Sequence, residues 1–116
     1  MTTKQGVIEV KKSKFYYYRY DGDMAGFDAL LPKIKSEHKK ATHVVYAYSF
    51  SQPFNEKCCD DGEPKSTAGA PILSVIQKKK LSNVAVIVVR YFGGIKLGAG
   101  GLVRAYTKSA SEALSD

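Results

Sequence analysis

The hydrophobic and polar positions along the chain predict strands that alternate with helices. β-Branched and aromatic residues at 7–20, an alternating pattern at 42–50 and an unbroken apolar run at 84–89 predict strands. Apolar residues at helical spacing predict helices that follow Asp23, begin near Pro71 and cover 102–114. Pro32 falls inside the first of these helices, so we expect a kink or a restart there.

The two later strands differ in their patterns. In 42–50 large residues alternate with smaller ones, which predicts a half-buried strand with His43 on the face of smaller side chains. Such a lone histidine is more often structural than catalytic. The run 84–89 has no alternation and is expected at the centre of the sheet. Between them, 51–69 is a long polar loop, and loops of this length tend to be functional or mobile.

Tyrosines fall on both faces of the first strand. They are Tyr16, Tyr17, Tyr18 and Tyr20. One interpretation is an exposed aromatic face on a basic sheet, which could stack nucleic acid bases. The alternative, favoured here, is that the rings pack and leave their hydroxyls at the rim.

The length and composition indicate a single globular domain over residues 1–116. Hydrophobic residues make up 44% and charged residues 25%, as in ordinary globular proteins. The first residues are polar and basic, and no apolar run approaches the length needed to cross a bilayer. We therefore expect a cytoplasmic protein without a membrane partner.

The net charge of +7 biases the chain toward polyanions. Its basic residues come in groups at 11–14, 33–40, 78–80 and 90–108. Each group alone is typical of a solvated face. Taken together they favour an anionic partner, with no sign of DNA specificity.

Cysteine usage indicates a reducing compartment. Cys58 and Cys59 are neighbours, and a disulfide between adjacent residues is strained. A metal site would need further ligands, and His43 is the one candidate nearby. We predict no bound metal.

The segment from Arg90 to Tyr106, RYFGGIKLGAGGLVRAY, predicts an anion site. Five glycines fall within the nine residues 93–101, between a strand and a helix. Glycine permits tight turns that expose backbone N–H groups, and the first N–H groups of a helix favour an anion. The predicted ligands are Arg90, Gly93, Gly94, Lys96, Gly98, Gly100, Gly101 and Arg104. The alternative is a turn that needs glycine only for close packing.

Three ordered motifs resemble the IMPACT/YigZ family. They are ATHVVYAY from Ala41, CDDGEPKSTAGAPIL from Cys59 and the glycine segment from Arg90. The resemblance covers about 12–114 and is strongest to the bacterial branch. It implies a two-layer α/β (α+β) domain with a four-stranded sheet and helices on one face, like the second domain of a small-subunit ribosomal protein.

The family motifs identify further candidate residues. His43 matches the histidine of the ATH segment, and Asp60, Asp61 and Glu63 belong to the matched acidic loop. If these residues and the glycine segment meet at one end of the sheet, they would form a cleft with acids, an imidazole and anion-holding amides.

The chain departs from bacterial relatives in two ways. Lys65-Ser66 stands where they commonly have Ser-Gly, which puts the shape of the acidic loop in doubt. Bacterial relatives usually carry a second, ferredoxin-like domain after this one, so a trimmed or minimal form is expected.

Three functions remain open at this point. The first is a non-enzymatic module that binds RNA or the ribosome and is linked to regulation of translation. The second is an enzyme acting on a phosphorylated or carboxylated small molecule, with Lys96 and Arg104 holding the anion and the acids or His43 acting as acid/base or holding Mg²⁺. The third is a protein-binding glycine loop. We rank the first highest, because no nucleophile with an adjacent base is evident.

Overall fold

The structure, a computed structural model, describes residues 2–115. Within them lie five strands and three helices. In chain order these are β1 (Lys4–Val10), β2 (Ser13–Asp21), α1 (Met24–Glu37), β3 (His43–Phe50), β4 (Asn55–Cys59), α2 (Gly69–Lys78), β5 (Val84–Tyr91) and α3 (Gly98–Ala113). The predicted mixed α/β class is confirmed.

All neighbouring strands in the sheet run antiparallel, in the order β1-β2-β5-β3-β4. The predicted central position of 84–89 is confirmed, and β5 is buried from Val84 to Arg90. It is buried on both faces, which explains why its sequence lacks alternation.

The predicted single strand over 7–20 is two strands joined by a tight hairpin. Lys11 and Lys12 both adopt positive φ, 47° and 67°, and Val10 pairs with Ser13. Two-residue hairpin turns of this kind usually carry Asn or Gly. Because two lysines occupy the turn, the sequence does not signal it.

The prediction of four strands with helices on one face is wrong in both details. The fifth strand is β4, which lies in the segment expected to be a loop and forms one edge of the sheet. An edge strand needs little apolar surface, so NEKCC has no strand-like pattern.

Helix α1 covers one face of the sheet. Its buried residues Phe27, Leu30 and Ile34 pack on aromatic and aliphatic side chains of the strands. Those strand residues are Tyr20, Val44, Tyr46, Tyr48, Phe50, Ala85, Ile87 and Val89. Helices α2 and α3 cover the opposite face, where Ile72, Ile76 and Tyr106 are fully buried.

This double cover corrects one expectation and decides between two interpretations of the tyrosines. Strand β3 is buried on both faces rather than half-buried, since Val44 to Phe50 are all buried. The tyrosines do not form an open stacking face: Tyr20 is 7% exposed and donates its hydroxyl to the Asp23 carbonyl. Tyr16 and Tyr18 pack beside His38 at the end of α1. The packed interpretation of the tyrosines is confirmed.

Helix α1 begins where the sequence predicts it, directly after Asp23. Asp23 is the N-cap, and its side chain accepts a hydrogen bond from the Gly26 N–H at 2.9 Å. The helix continues through Pro32 to Glu37 without a restart. Helix α3 begins at Gly98, four residues before the predicted 102, so three of the glycines form its first turn.

In residues 2–115 no helix combines the length and hydrophobicity that a bilayer crossing requires.

Replacing Phe27 with alanine is expected to destabilise the fold by about 3–5 kcal/mol. Its ring contacts four aromatic rings, with centroid distances of 5.1 Å to Tyr48 and 5.4 Å to Tyr46, and the side chain is 2% exposed. Urea unfolding measures the loss. The exposed neighbour Asp28→Ala serves as the control and should stay within about 0.5 kcal/mol of the parent. A Phe27→Ala loss below about 1 kcal/mol would contradict the role of α1 as a core layer.

Candidate functional site

The predicted motifs meet at one end of the sheet, on the side of α2 and α3. His43 begins β3 and pairs with Arg90 near the end of β5, because the two strands are antiparallel. The acidic loop leaves β4 after Cys59 at the same end, and α3 begins there at Gly98.

A cavity of about 390 Å³ lies between these segments. Its walls combine charged, polar and apolar side chains with the first turn of α3. The lining residues are Thr42, His43, Glu63, Pro64, Arg90, Phe92, Lys96, Leu97, Gly98, Ala99 and Leu102. Its volume falls within the range of small-ligand pockets.

The start of α3 is open toward this cavity. Its N-cap residue Leu97 makes no side-chain capping hydrogen bond, so the first N–H groups of the helix have no side-chain partner at this position. Gly98 has φ +74°, and a Cβ built there would meet nothing within 4 Å. Lys96 is exposed beside it. Lys96 and the first turn of α3 therefore line the same cavity, an arrangement that suits an anion.

The floor of the cavity is a buried carboxylate. Glu63 is 6% exposed and accepts hydrogen bonds from Nη1 of Arg90, at 3.0 Å and 2.9 Å, on its two oxygens. The Tyr106 hydroxyl donates to the same carboxylate. His43 Nε2 lies 3.4 Å from Glu63 Oε1. The carboxylate is thus paired with one cation and hydrogen-bonded by side chains of two separate elements, β5 and α3, with the His43 ring beside it.

Arg90 is committed to this network rather than open to a ligand as a free cation. Its guanidinium carbon lies 5.8 Å from the Phe15 ring centroid and 5.6 Å from that of Phe92. Its Nε is buried and has no hydrogen-bond partner within residues 2–115. Arg90 therefore positions Glu63 and Phe92, while its buried Nε–H is left without an acceptor.

His43 is oriented by the acidic loop. Its Nδ1–H donates to the Asp61 carbonyl at 2.8 Å, because a carbonyl can only accept. That bond selects the tautomer protonated on Nδ1 in the neutral ring, with Nε2 directed at Glu63. An imidazole held in this way at a cavity wall can exchange a proton with a bound molecule.

Asp60 and Asp61 shape the loop. Asp60 accepts hydrogen bonds from the N–H groups of Ser66, Ala68 and Gly69 at 2.9, 3.2 and 2.9 Å. Asp61 Oδ2 accepts from the Val44 N–H at 2.7 Å. These contacts show that both aspartates fix the conformation of the loop. Neither aspartate lines the cavity, whereas Glu63 does.

The unusual Lys65-Ser66 pair fits the loop without glycine. Ser66 adopts φ 64° and still donates its N–H to Asp60. A Ser at positive φ is uncommon and carries some strain, which the three hydrogen bonds to Asp60 offset.

The other predicted anion ligands lie outside the cavity. Gly93 packs against the hairpin turn, where an added Cβ would overlap the Lys12 carbonyl. Gly94 and Gly100 are exposed and do not line the cavity. Arg104 lines a neighbouring recess with Lys11 and Lys108. Of the eight predicted ligands, the cavity brings together Arg90, Lys96 and Gly98.

Sequence reasoning missed two members of the site. Tyr106 is buried on α3, but its bond to Glu63 depends on the distance between α3 and the acidic loop, which no local pattern encodes. Phe92 is 47% exposed at the cavity mouth. The sequence position of Phe92, between the end of a strand and the glycines, could have identified it as a site residue, since a large exposed ring beside a ligand loop is unusual.

No group of three or more His, Cys, Asp or Glu side chains in the described range 2–115 is arranged to hold a metal ion. Both cysteines carry free thiols. Burial raises the pKa of the Cys58 thiol, and the neighbouring Asp60 and Cys59 add to that rise. Cys58 is thus less available as a thiolate ligand at neutral pH.

The Tyr106→Phe variant should be less stable than the parent at pH 9. The difference in free energy of unfolding between the two proteins, called the gap below, should narrow above about pH 10. Burial raises the pKa of Tyr106 above its usual 10.0, and the hydrogen bond and charge of Glu63 add to this against an opposing effect of Arg90. The folded chain therefore keeps the proton that the unfolded chain releases above pH 10. This contribution is complete below that pH and declines above it, by up to ~1.4 kcal/mol per pH unit.

Urea unfolding at pH 9, 10 and 11 on both proteins measures the gap. Other tyrosines with raised pKa values, such as Tyr20 and Tyr46, are present in both proteins. Their contributions therefore cancel when the two free energies of unfolding are subtracted. Parallel stability curves for the two proteins would show that Tyr106 does not hold its proton in the folded state.

Comparison with known proteins gives clear matches. The model of the Impact N-terminal domain family matches residues 11–114. The chain is 52% identical over 86 residues to IMPACT family member YvyE of Bacillus subtilis (strain 168), covering 73% of this chain and 40% of that protein. It is 37% identical over 112 residues to IMPACT family member YigZ of Escherichia coli (strain K12), covering 93% and 55%. The chain thus spans about half the length of these relatives.

Solved structures share the fold. A crystal structure of a hypothetical protein superposes with a TM-score of 0.89 at 35% identity, over 95% of this chain and 55% of that one. The two-domain translational regulator Yih1 superposes with a TM-score of 0.58 at 26% identity, over 97% of this chain and 46% of that one. With the three motifs in place around one cavity, these matches establish that the chain belongs to the Impact N-terminal domain family.

Proposed function

We propose that this chain is a non-enzymatic cytoplasmic module that binds RNA or the ribosome through an anion site at the start of α3, linked to regulation of translation. The single observation that carries the proposal is the shared cavity of Lys96 and the uncapped first turn of α3. Both favour a phosphate group there.

The distribution of lysines supports a polyanion rather than a lone small anion. Lys11 and Lys12 form the hairpin turn against Gly93, and Lys14 pairs in the sheet with Tyr91, all at the cavity end. Lys39 and Lys40 follow α1 at the same end, since Thr42 is bonded to the Arg90 carbonyl. A field of one sign around a site raises the local concentration of anionic partners.

The link to translation is supported by similarity. Yih1, whose fold this chain shares, is a translational regulator. The chain spans about half of that protein, so the activity of the whole relative enters only as part of this proposal.

Lys96→Ala should weaken binding to single-stranded RNA and lower the log–log salt slope by about 0.7, the contribution of one lost phosphate contact. Fluorescence anisotropy on a labelled oligonucleotide between about 50 and 200 mM salt measures both quantities. Lys78→Ala, which removes the same charge at the end of α2, is the matched control. Equal slopes for Lys96→Ala and Lys78→Ala, or no RNA binding at any salt, would overturn the proposal.

Ala99→Pro tests the helix amides separately. Proline is tolerated in the first turn of a helix but lacks the N–H, and Ala99 lines the cavity. We expect weaker RNA binding with helix content unchanged by circular dichroism. Unchanged affinity would show that the Ala99 amide does not contact the ligand.

A second candidate function, an enzyme acting on a phosphorylated or carboxylated small molecule, is favoured by the orientation of His43. The imidazole would act as acid or base, and Lys96 would hold the anion. If so, a panel of phosphate monoesters assayed with and without Mg²⁺ should reveal turnover that His43→Ala abolishes at unchanged thermal stability. Turnover absent in the parent, or retained in His43→Ala, would remove this candidate.

A further inference from the structure

Two recesses of different chemistry lie side by side at the start of α3. The first is the cavity described above, with apolar walls that include Pro64, Phe92 and Leu102. The second has a volume of about 270 Å³ and is lined on one side by the hairpin turn and on the other by α3. Leu97 lines both, so the two recesses are contiguous across one side chain.

The second recess is cationic. Lys11, Arg104 and Lys108 line it, and no acidic residue does. Within residues 2–115 none of the three forms a salt bridge. Arg104 and Lys108 lie one turn apart on α3, so their charges share one face of the helix. Three uncompensated cations around one depression favour a phosphate group.

The first recess is suited to a planar, partly polar body. Phe92 presents an exposed ring at its mouth, and the Arg90 guanidinium 5.6 Å from the ring centroid holds that ring in place. Arg90 lines the cavity while 6% exposed, and its Nε–H is without an acceptor in the described range 2–115. The Nε–H is itself out of reach of a ligand, so a base would contact the Phe92 ring and the apolar walls of the cavity.

We propose that the two recesses form one subsite for single-stranded RNA: an unstacked base enters the cavity against Phe92, between two phosphates. The phosphate on one side of the base lies at Lys96 and the start of α3, and the phosphate on the other side is held by Lys11, Arg104 and Lys108. A base next to a phosphate is the repeating unit of a nucleic acid strand, and it matches an apolar recess next to a cationic one. Duplex RNA is excluded from this arrangement, because its bases are stacked and paired. The inference deepens the proposed function and rests on it.

The experiment uses the full chain and three probes: a single-stranded oligonucleotide, the matching duplex, and the same strand with abasic sites. We expect the single strand to bind about tenfold or more tightly than either of the other two, since stacking of a base on an aromatic side chain is lost in both. Phe92→Ala should lower single-strand affinity by a similar factor. Ile95→Ala, an equally exposed apolar residue in the same loop that does not line the cavity, is the matched control.

Direct evidence for stacking comes from Phe92→Trp. The chain contains no tryptophan, so this variant has a single indole, placed at the cavity mouth. Its fluorescence should be quenched by the single strand and not by the abasic strand. The double variant Arg104→Ala/Lys108→Ala should lower the salt slope by about 0.7, the contribution of one phosphate contact, while leaving this quenching at saturation intact.

The outcomes separate the subsite from the proposed function. Equal affinity for single strand, duplex and abasic strand, with no loss in Phe92→Ala, overturns the subsite and leaves an RNA-binding surface in place. Equal binding to heparin, a polyanion without bases, overturns the subsite in the same way. No binding to any RNA overturns both.

Discussion

The burial of one carboxylate organises the functional end of this protein. Glu63 is almost inaccessible, and an ionised carboxylate in that position is tolerated only if it is paired and hydrogen-bonded. Its partners come from β5, α3 and β3, namely Arg90, Tyr106 and His43. Because buried Glu63 needs these partners, the acidic loop is held against three elements that are distant in sequence. This contact closes one wall of the cavity.

The same requirement separates the charges of the site into two groups. The acidic side chains of the loop hydrogen-bond within the fold: Asp60 and Asp61 accept from backbone amides, and Glu63 accepts from Arg90. The lysines remain outside, where no burial penalty applies. Of the three acids in CDDGEPK, the one that lines the cavity is thus the one paired with an arginine.

Covering both faces of the sheet limits where recognition can occur. Helix α1 occupies one face, and α2 with α3 occupies the other, so strand side chains are largely inaccessible. Tyr20, one of the candidate base-stacking tyrosines, instead packs on Phe27 in the core. Tyr16 and Tyr18 pack beside His38. Ligand contact is left to the end of the sheet, where strands, loops and the start of α3 meet, and there Phe92 and Lys96 remain open.

Local patterns in the sequence were sufficient for the class of the fold, for the central strand 84–89 and for the start of α1 after Asp23, because each depends on neighbouring residues. The convergence of the three motifs was only a condition of the expected cleft, and the folded chain meets it. The hairpin at Lys11-Lys12, edge strand β4 and the second covered face were decided by pairing and packing between distant segments. So was the division of roles among the candidate residues. Whether Arg90 meets a ligand or Glu63 depends on a buried contact 27 positions apart, and only the folded chain makes it.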